Sequence, residues 1–507
     1  MVKLYKLGLN GKIWKIIDDC HIGNESTVAV NGTMSQWFEI KQGVRQGGVL
    51  SGFLYCVFIN DLLNCLESVS SNFGVYNVKS TNPTLADDIA CLSSSPTSLQ
   101  KMLNVAFKYS CLWRFSFNAQ KSSVVIFGKG RPPTQQTWKL GDDEILINDS
   151  YKHLGIIQHS RFKTIDRTTD SCNKGRKAYF AIRNDLSHNT NPLTLVKLYR
   201  KIVLPTVLYG CELWNNLKQT DFQILNKFQH FVTKDIQGMK ISTRSDMCES
   251  MIGLHPIISE IDKRKLVFFG KLCKLDTNSL SKNIFLFRLY DLLQGDIKQF
   301  SGFLKDIYEI LIKYNLLQYL RSFVEVGQFP GKKDWKYIVK QSIHHQHTEE
   351  WRNRMEADPD FRIFKIFHNI ISPIKLWKFD FSFDEVPLIR FLAKLWTIPP
   401  IYLGQTCRVC QETYDSQYQH AVLGCPSTTC IRDSFFDNLI NNFDVHLYVE
   451  LSQLSEDILY FILLGGVEPT ILLEKESKKE FICLCAKFVC GATACYNRAL
   501  SQNLECN

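Results

Sequence analysis

The sequence predicts an α+β protein in which a mixed strand-and-helix segment is followed by helices and a small Cys/His-rich module. Three observations carry that prediction. Up to about residue 157, short runs rich in β-branched and aromatic residues ("STVAV", "FGVYNV", "SSVVIF", "EILI") alternate with helical patterns. From about residue 161 to 278, apolar residues recur three and four apart, as in "LTLVKLYRKIVL", "DFQILNKFQHFVTKDI" and "EIDKRKLVFFGKLCKL". Near the C-terminus, "CRVCQETYDSQYQHAVLGCP" spaces thiols and an imidazole like metal ligands.

Taken in order, "MVKLYKLGLNGKIWKII" is amphipathic and lacks the apolar core and cleavage site of a secretory leader. The chain is therefore expected inside the cell, in nucleus or cytoplasm, and not secreted. Asp18 and Asp19 close this helix as a solvated end. In "FEIKQGVRQGGVLSGFLYCVFINDLL", Gly43, Gly47 and Gly48 make a loop that opens an apolar helix, where exposed backbone amides suit a phosphate or nucleotide. In "TLADDIACLSS", apolar runs flank Asp87 and Asp88, the layout of a tight hairpin with its turn at the acids. A helix follows, with Ser95 as N-cap, Pro96 in the first turn, and Leu99, Met102, Leu103, Ala106 and Trp113 along one face. Lys121 then starts the strand entry "FSFNAQKSSVVIFGKG". Further helices run to about residue 383, interrupted at "GQFPGKKDW" and "ISPI". No apolar run reaches the roughly 18 residues of a bilayer span, and no membrane partner is expected.

Eighteen cysteines in an intracellular chain should be mostly reduced and buried. Cys483, Cys485, Cys490 and Cys495 follow helical spacing with no nearby histidine and read as a buried face. The formal charge of +10 is concentrated: residues 161–270 hold 18 basic and 10 acidic residues, net +8, against +2 elsewhere. A polyanion partner fits that excess, and so does a well-solvated helical surface. Lys197, Arg200 and Lys201 lie three and four apart in one stripe, and Lys174, Arg176 and Lys177 form a second cluster. Such groups neutralise phosphates without reading sequence.

Adjacent carboxylates at a turn are either an ordinary exposed Asp-Asp turn or a cation site. A divalent cation would neutralise both, and paired carboxylates with Mg²⁺ are the apparatus of nucleotidyl transfer. Together, "GVRQGGVLS" with "FINDL", then "ADD", "FNAQKS" and "YKHLGI", in that order, resemble the palm of a reverse transcriptase of the non-LTR retrotransposon class. The resemblance implies that Arg45, Gln46 and Gly47 meet template and incoming nucleotide, and that Asp87 and Asp88 bind Mg²⁺ (or Mn²⁺). It further implies that Lys121 aids pyrophosphate departure, and that the hairpin of His153, Leu154 and Gly155 grips the primer end. The family usually has Tyr where this chain has Leu85. Its fingers and first metal-bridging aspartate would precede residue 1, so the chain alone is expected not to polymerise.

The resemblance implies a partial reverse-transcriptase palm (1–158), a helical thumb (159–278) and a zinc-binding module (396–435), and pattern alone adds a helical region without assigned role (279–395) and a helical tail (436–507). Three thiolates and an imidazole at Cys407, Cys410, His420 and Cys425 suit tetrahedral Zn²⁺, with Cys430 an alternative to Cys425. About 20 polar residues bury too little apolar area to order themselves, so metal is expected to supply the folding free energy of the module. The motif also resembles the Cys-Cys-His-Cys module of many of these elements, followed here by Arg432. Two functions stand: an RNA-directed DNA polymerase acting on RNA template and DNA primer, or a catalytically dead remnant that still binds nucleic acid.

Overall fold

The computed structural model describes residues 1–71, 73–128, 136–398, 404–443, 445–470 and 473–505, with residues 503–505 described by their backbone alone. The end of "SSVVIFGKG", the 399–403 part of the module assigned to 396–435, and residues 444, 471, 472, 506 and 507 of the tail lie outside the described residues. The chain divides into two compact units, Met1–Lys163 with Asp276–Gly295, and Thr164–Leu275 with Asp296–Asn507.

In the first unit the expected strands are shorter than their patterns. "STVAV" splits between Glu25–Ser26 and Ala29–Val30. "FGVYNV" is no single strand: it doubles back as the hairpin Gly74–Val75 and Val78–Lys79, with Tyr76 at φ 53. Asn and its neighbour make a better turn than a strand centre, and two residues a side suffice to close it. Among the described residues the largest sheet has three strands, Trp138–Leu140, Asp143–Ile147 and Ser123–Val124, the last pair parallel.

Two helices hold this unit together. Ser51–Val69 turns Ile59, Leu62 and Leu66 toward Met102, Ala106 and Tyr109 of Pro96–Trp113, and Val124, Trp138, Leu140 and Ile145 complete the core. Ser95 sits at the expected N-cap in extended conformation, although its side chain makes no cap bond. Leu99, Leu103 and Trp113 are half-buried rather than core. The Val2–Lys6 helix is pinned by Lys3, whose Nζ donates to the Phe58 carbonyl and the Tyr109 hydroxyl, lies 3.1 Å from Asp61, and sits 4.1 Å from the Trp113 ring centroid. Elsewhere the unit leaves apolar surface bare: Gly11–Asp19 buries none of its side chains, and Trp37, Val49 and Phe53 are exposed. Ser51–Val69 is also long and apolar enough, by length and composition, to cross a membrane, contrary to the expectation that no segment would be. Its apolar pattern is interrupted by Asn60, Asp61 and Asn64, which is why it reads as a globular helix.

The second unit is helical, with one apolar core running from Cys172 to Ala492. It therefore passes through stretches that the sequence assigns to thumb, middle region and tail. Ile165–Asp185 lies against Gln219–Gln237, fixed by the buried Asp221 carboxylate, which accepts from Thr164 (2.6 Å), Thr168 (2.8 Å) and the Lys218 backbone N–H (2.8 Å). Gly175 makes the close approach possible: a Cβ there would come within 2.1 Å of Val207. "LTLVKLYRKIVL" is not one regular helix. Pro192–Leu198 runs into a π turn, Tyr199–Val203, before Leu204–Val207. Pro205 has no N–H to return to Lys201, and the Leu204 N–H reaches back to the Tyr199 carbonyl instead. The C-terminal helix Lys475–Glu505 buries Cys483 and Cys485, with Cys490 and Cys495 at the edge of the same face.

Candidate functional site

The acid pair lies on a hairpin of minimal length. Thr84–Leu85 pairs with Asp88–Ile89, Leu85 opposite Asp88 and Thr84 opposite Ile89. The turn is thus Ala86-Asp87, one residue earlier than the acids alone suggest. Half-buried Thr84 and Ile89 share the inner side, which sets the register and turns Asp88 outward with Leu85. Ala86 pays a conformational cost at φ 52, where an L side chain is strained. Both carboxylates are exposed, and among the described residues neither has a hydrogen bond or ion pair. The sequence gives no hint of Tyr55, one turn into Ser51–Val69. Asn82, just before the hairpin, donates to the Leu63 carbonyl of this helix (2.6 Å), and burial, then the negative charge of Asp87, raises the Tyr55 phenol above its ordinary value.

The glycine-rich segment forms the expected loop into that helix. Gly47 takes φ 82, and a Cβ on Gly48 would fall 2.6 Å from the Ser51 hydroxyl and 3.2 Å from the Arg45 carbonyl. Ser51 donates to the Arg45 carbonyl, Arg45 donates to Asn24 (2.8 Å), and Gln46 is exposed. No side chain caps the helix start, which leaves its first amides available to a ligand oxygen. Lys121 ends the short 3-10 turn Ala119–Lys121, capped by Asn118, with its side chain exposed. Ser150–His153 and Ile156–His159 form a hairpin whose turn residues Leu154 and Gly155 have φ 48 and 82, the double positive φ of a primed turn.

The basic residues of the second unit divide into two kinds. Lys177, Lys197, Arg200 and Lys201 are exposed. Lys174 pairs with Asp170 (2.6 Å), Arg176 donates to Asn173 (3.1 Å), and Arg200 reaches the Gly253 carbonyl (2.5 Å). Others of the excess are structural: Lys265 is buried on Asp306 (2.6 Å), and Arg244 joins Asp246, Asp358 and Asp360. The outward potential is therefore smaller than the count of charges implies.

Cys407, Cys410, His420 and Cys425 converge, with one ligand atom from each lying within 4.8 Å of the others. Cys430 stands apart, exposed on Thr429–Asn442. Gln405–Thr406 and Thr413–Tyr414 pair around the first two thiols, and the Val409 N–H donates to Cys407 Sγ (3.4 Å). A π turn, His420–Gly424, carries the imidazole to Cys410 Sγ (3.2 Å). Gly424 leaves room for that ring, since a Cβ would sit 2.9 Å from Nδ1, and Tyr414 stacks on its other side at 5.1 Å. Arg432 donates to the carbonyls of Leu423 and Cys425, tying off the turn between His420 and Cys425. Burial pushes the Cys407 thiol up, but hydrogen bonds from Tyr496 and the backbone outweigh it and bring the group down to about 6. Burial, with the negative sulfurs of Cys407 and Cys425 nearby, pushes Cys410 up to about 12. Three sulfurs so close can all ionise only on a cation, and this soft, acid-free donor set fits Zn²⁺.

Residues 2–158 match the family model described as reverse transcriptase (RNA-dependent DNA polymerase). The chain is 23% identical over 262 residues to a probable RNA-directed DNA polymerase from transposon X-element of Drosophila melanogaster, covering 49% of this chain and 28% of that protein. It is 25% identical over 252 residues to the RNA-directed DNA polymerase from mobile element jockey of Drosophila funebris, covering 48% and 27%. A third relative, the retrovirus-related Pol polyprotein from type-2 retrotransposable element R2DM of Drosophila melanogaster, is 24% identical over 226 residues, covering 40% and 20%. The chain thus spans between a fifth and a little over a quarter of the length of these relatives.

Proposed function

We infer, from the reverse transcriptase domain that this chain carries and its kinship to the polymerases of non-LTR retrotransposons, that it serves RNA-templated DNA synthesis inside the cell. The observation that carries the reading is the Ala86-Asp87 turn, which raises two unpaired carboxylates side by side. Asp87 and Asp88 would hold Mg²⁺ or Mn²⁺, whose chemistry there is to polarise phosphoryl oxygens and neutralise developing charge. Arg45, Gln46 and Gly47 offer a guanidinium, an amide and an open backbone to template and nucleotide. Lys121 is the proton donor to departing pyrophosphate, and the Leu154-Gly155 turn supports the primer end. Lys174, Arg176, Lys177, Lys197, Arg200 and Lys201 hold the template–primer duplex by its phosphates. Cys407, Cys410, His420 and Cys425 would hold Zn²⁺ with four protein ligands, and its role there would be structural.

A second reading is nucleic-acid binding without polymerisation, carried by the exposed basic side chains of Lys177, Lys197, Arg200 and Lys201. Primer extension on a poly-A template with Mg²⁺ or Mn²⁺ separates the readings. Extension that Asp87→Ala abolishes supports the polymerase, whereas binding of the same template–primer with no extension supports the second reading.

A further inference from the structure

The Cys-His group is not enclosed by its own loop. Tyr496, from the C-terminal helix Lys475–Glu505, is 1% exposed, and its hydroxyl lies 3.4 Å from Cys407 Sγ. Its ring meets His420 edge-on, 6.2 Å between centroids at 84°. Cys407, Ala421, Cys425 and Tyr496 are the buried members of a small core separate from the main one, and Leu500, one turn on, packs against it. Beside Tyr496, Cys495 Sγ donates to the Ser427 carbonyl (3.3 Å). The side chain that closes this core therefore comes from far along the chain.

We propose that Tyr496 is a positioning residue of the metal centre, its phenol donating a hydrogen bond to the Cys407 thiolate, so that the C-terminal helix forms one wall of the site. The proposal rests on the zinc reading of Cys407, Cys410, His420 and Cys425. The direction of the bond follows from ligation. A cysteine that binds metal has given up its proton, so its sulfur only accepts, and the tyrosine must donate. Both partners need the contact. Three thiolates on one divalent ion leave a net negative charge, and Cys407 is fully buried, so protein donors rather than water must spread it. The backbone N–H groups of Val409 and Cys410 supply such donors from the loop, and Tyr496 supplies the side-chain donor from the C-terminal helix. In return, Cys407 Sγ is the one hydrogen-bond partner of the buried phenol among the described residues. Outer-shell partners of this kind typically change metal affinity 10- to 100-fold, roughly, when removed.

The test uses the full chain, purified with its metal. Elemental analysis comes first, with one zinc per chain expected. Zinc transfer to a chromogenic chelator is then timed in the parent chain, in Tyr496→Phe and in Tyr414→Phe. Tyr414 stacks on His420 but points its hydroxyl at Gln405 (3.4 Å), away from the ligands. Tyr496→Phe should release zinc about tenfold faster and, in the cobalt-substituted protein, shift the thiolate-to-cobalt charge-transfer band, while Tyr414→Phe changes neither. Equal release and an unshifted band in Tyr496→Phe, with zinc present in all three, would overturn the role of Tyr496 and leave the zinc reading intact. Absence of zinc from the parent chain would overturn both. Should the Phe variant lose its fold, fluorotyrosine at position 496 makes the phenol a stronger donor: slower release supports the bond, and unchanged release refutes it.

Discussion

His368 is buried with its Nε2 donating to the Ser250 carbonyl (3.1 Å), and burial pushes its imidazole down to about 4. His255 is likewise held to about 4, by burial and then by the neighbouring His347 and His344. In the unfolded chain such groups titrate near 6.5. Between about pH 6.5 and 4 the unfolded state thus binds more protons, and stability falls as pH falls. Glu249, pushed up to about 7 by burial, opposes this, since its stabilising proton is present below about 4.5 and lost as pH rises to about 7. With two histidines against one carboxyl, the thermal midpoint should drop by several degrees from pH 7 to pH 5, and His368→Gln, which keeps a donor, should flatten the curve. A variant curve parallel to the parent's would remove His368 from the explanation. At the metal centre, Cys407→Ser should cut zinc content well below one per chain and expose the segment from Cys407 to His420 to protease. Full zinc in a Cys407→Ser, Cys410→Ser double variant would contradict the ligand set.

Elements were legible where one physical signal dominated. Gln219–Gln237 and Ile257–Lys274 follow from apolar spacing alone, and the Leu154-Gly155 hairpin was legible only through the family resemblance of "YKHLGI". The turn of the acid-bearing hairpin lies one residue earlier than the pattern suggests because Asp-Asp resembles a turn centre, whereas register is decided by Thr84 and Ile89 sharing the inner side. The Tyr199–Val203 π turn was hidden because helical periodicity survives one extra residue, and its cause, Pro205, lies after it. Packing between helices was not legible at all: nothing in "NKGRKAY" tells that Val207 closes on Gly175. Gly175→Ala should cost about 1–3 kcal/mol of stability, read from denaturant unfolding, because the new Cβ overlaps Val207. A cost near zero would mean that the two helices separate freely there. Across the π turn, replacing Lys197, Arg200 and Lys201 with Ala should weaken nucleic-acid binding about equally for unrelated sequences and flatten its salt dependence. Unchanged affinity would leave this basic face without a role.

Across the whole molecule, the sequence separates a palm, a thumb, a middle region, a zinc module and a tail, whereas packing groups residues 164–275 and 296–507 around one continuous core. The reason is that helical periodicity reports which face is apolar but not what covers it. The metal module shows this most plainly. Its four candidate ligands were readable from spacing, yet the small core they line is completed by Tyr496, so a metal need not supply all the order that some 20 polar residues lack. For the acid pair, sequence supplied the residues and the structure supplies their exposure and lack of partners. Mn²⁺ binding, followed by electron paramagnetic resonance with template–primer present, examines that pair without requiring turnover. If Asp87 and Asp88 hold the cation, bound Mn²⁺ falls at least about threefold in Asp87→Asn, Asp88→Asn, a change of about 0.7 kcal/mol, while duplex affinity at fixed salt stays close to the parent's. Equal Mn²⁺ binding by parent and double variant would contradict the metal site and, with it, the proposed role of this hairpin.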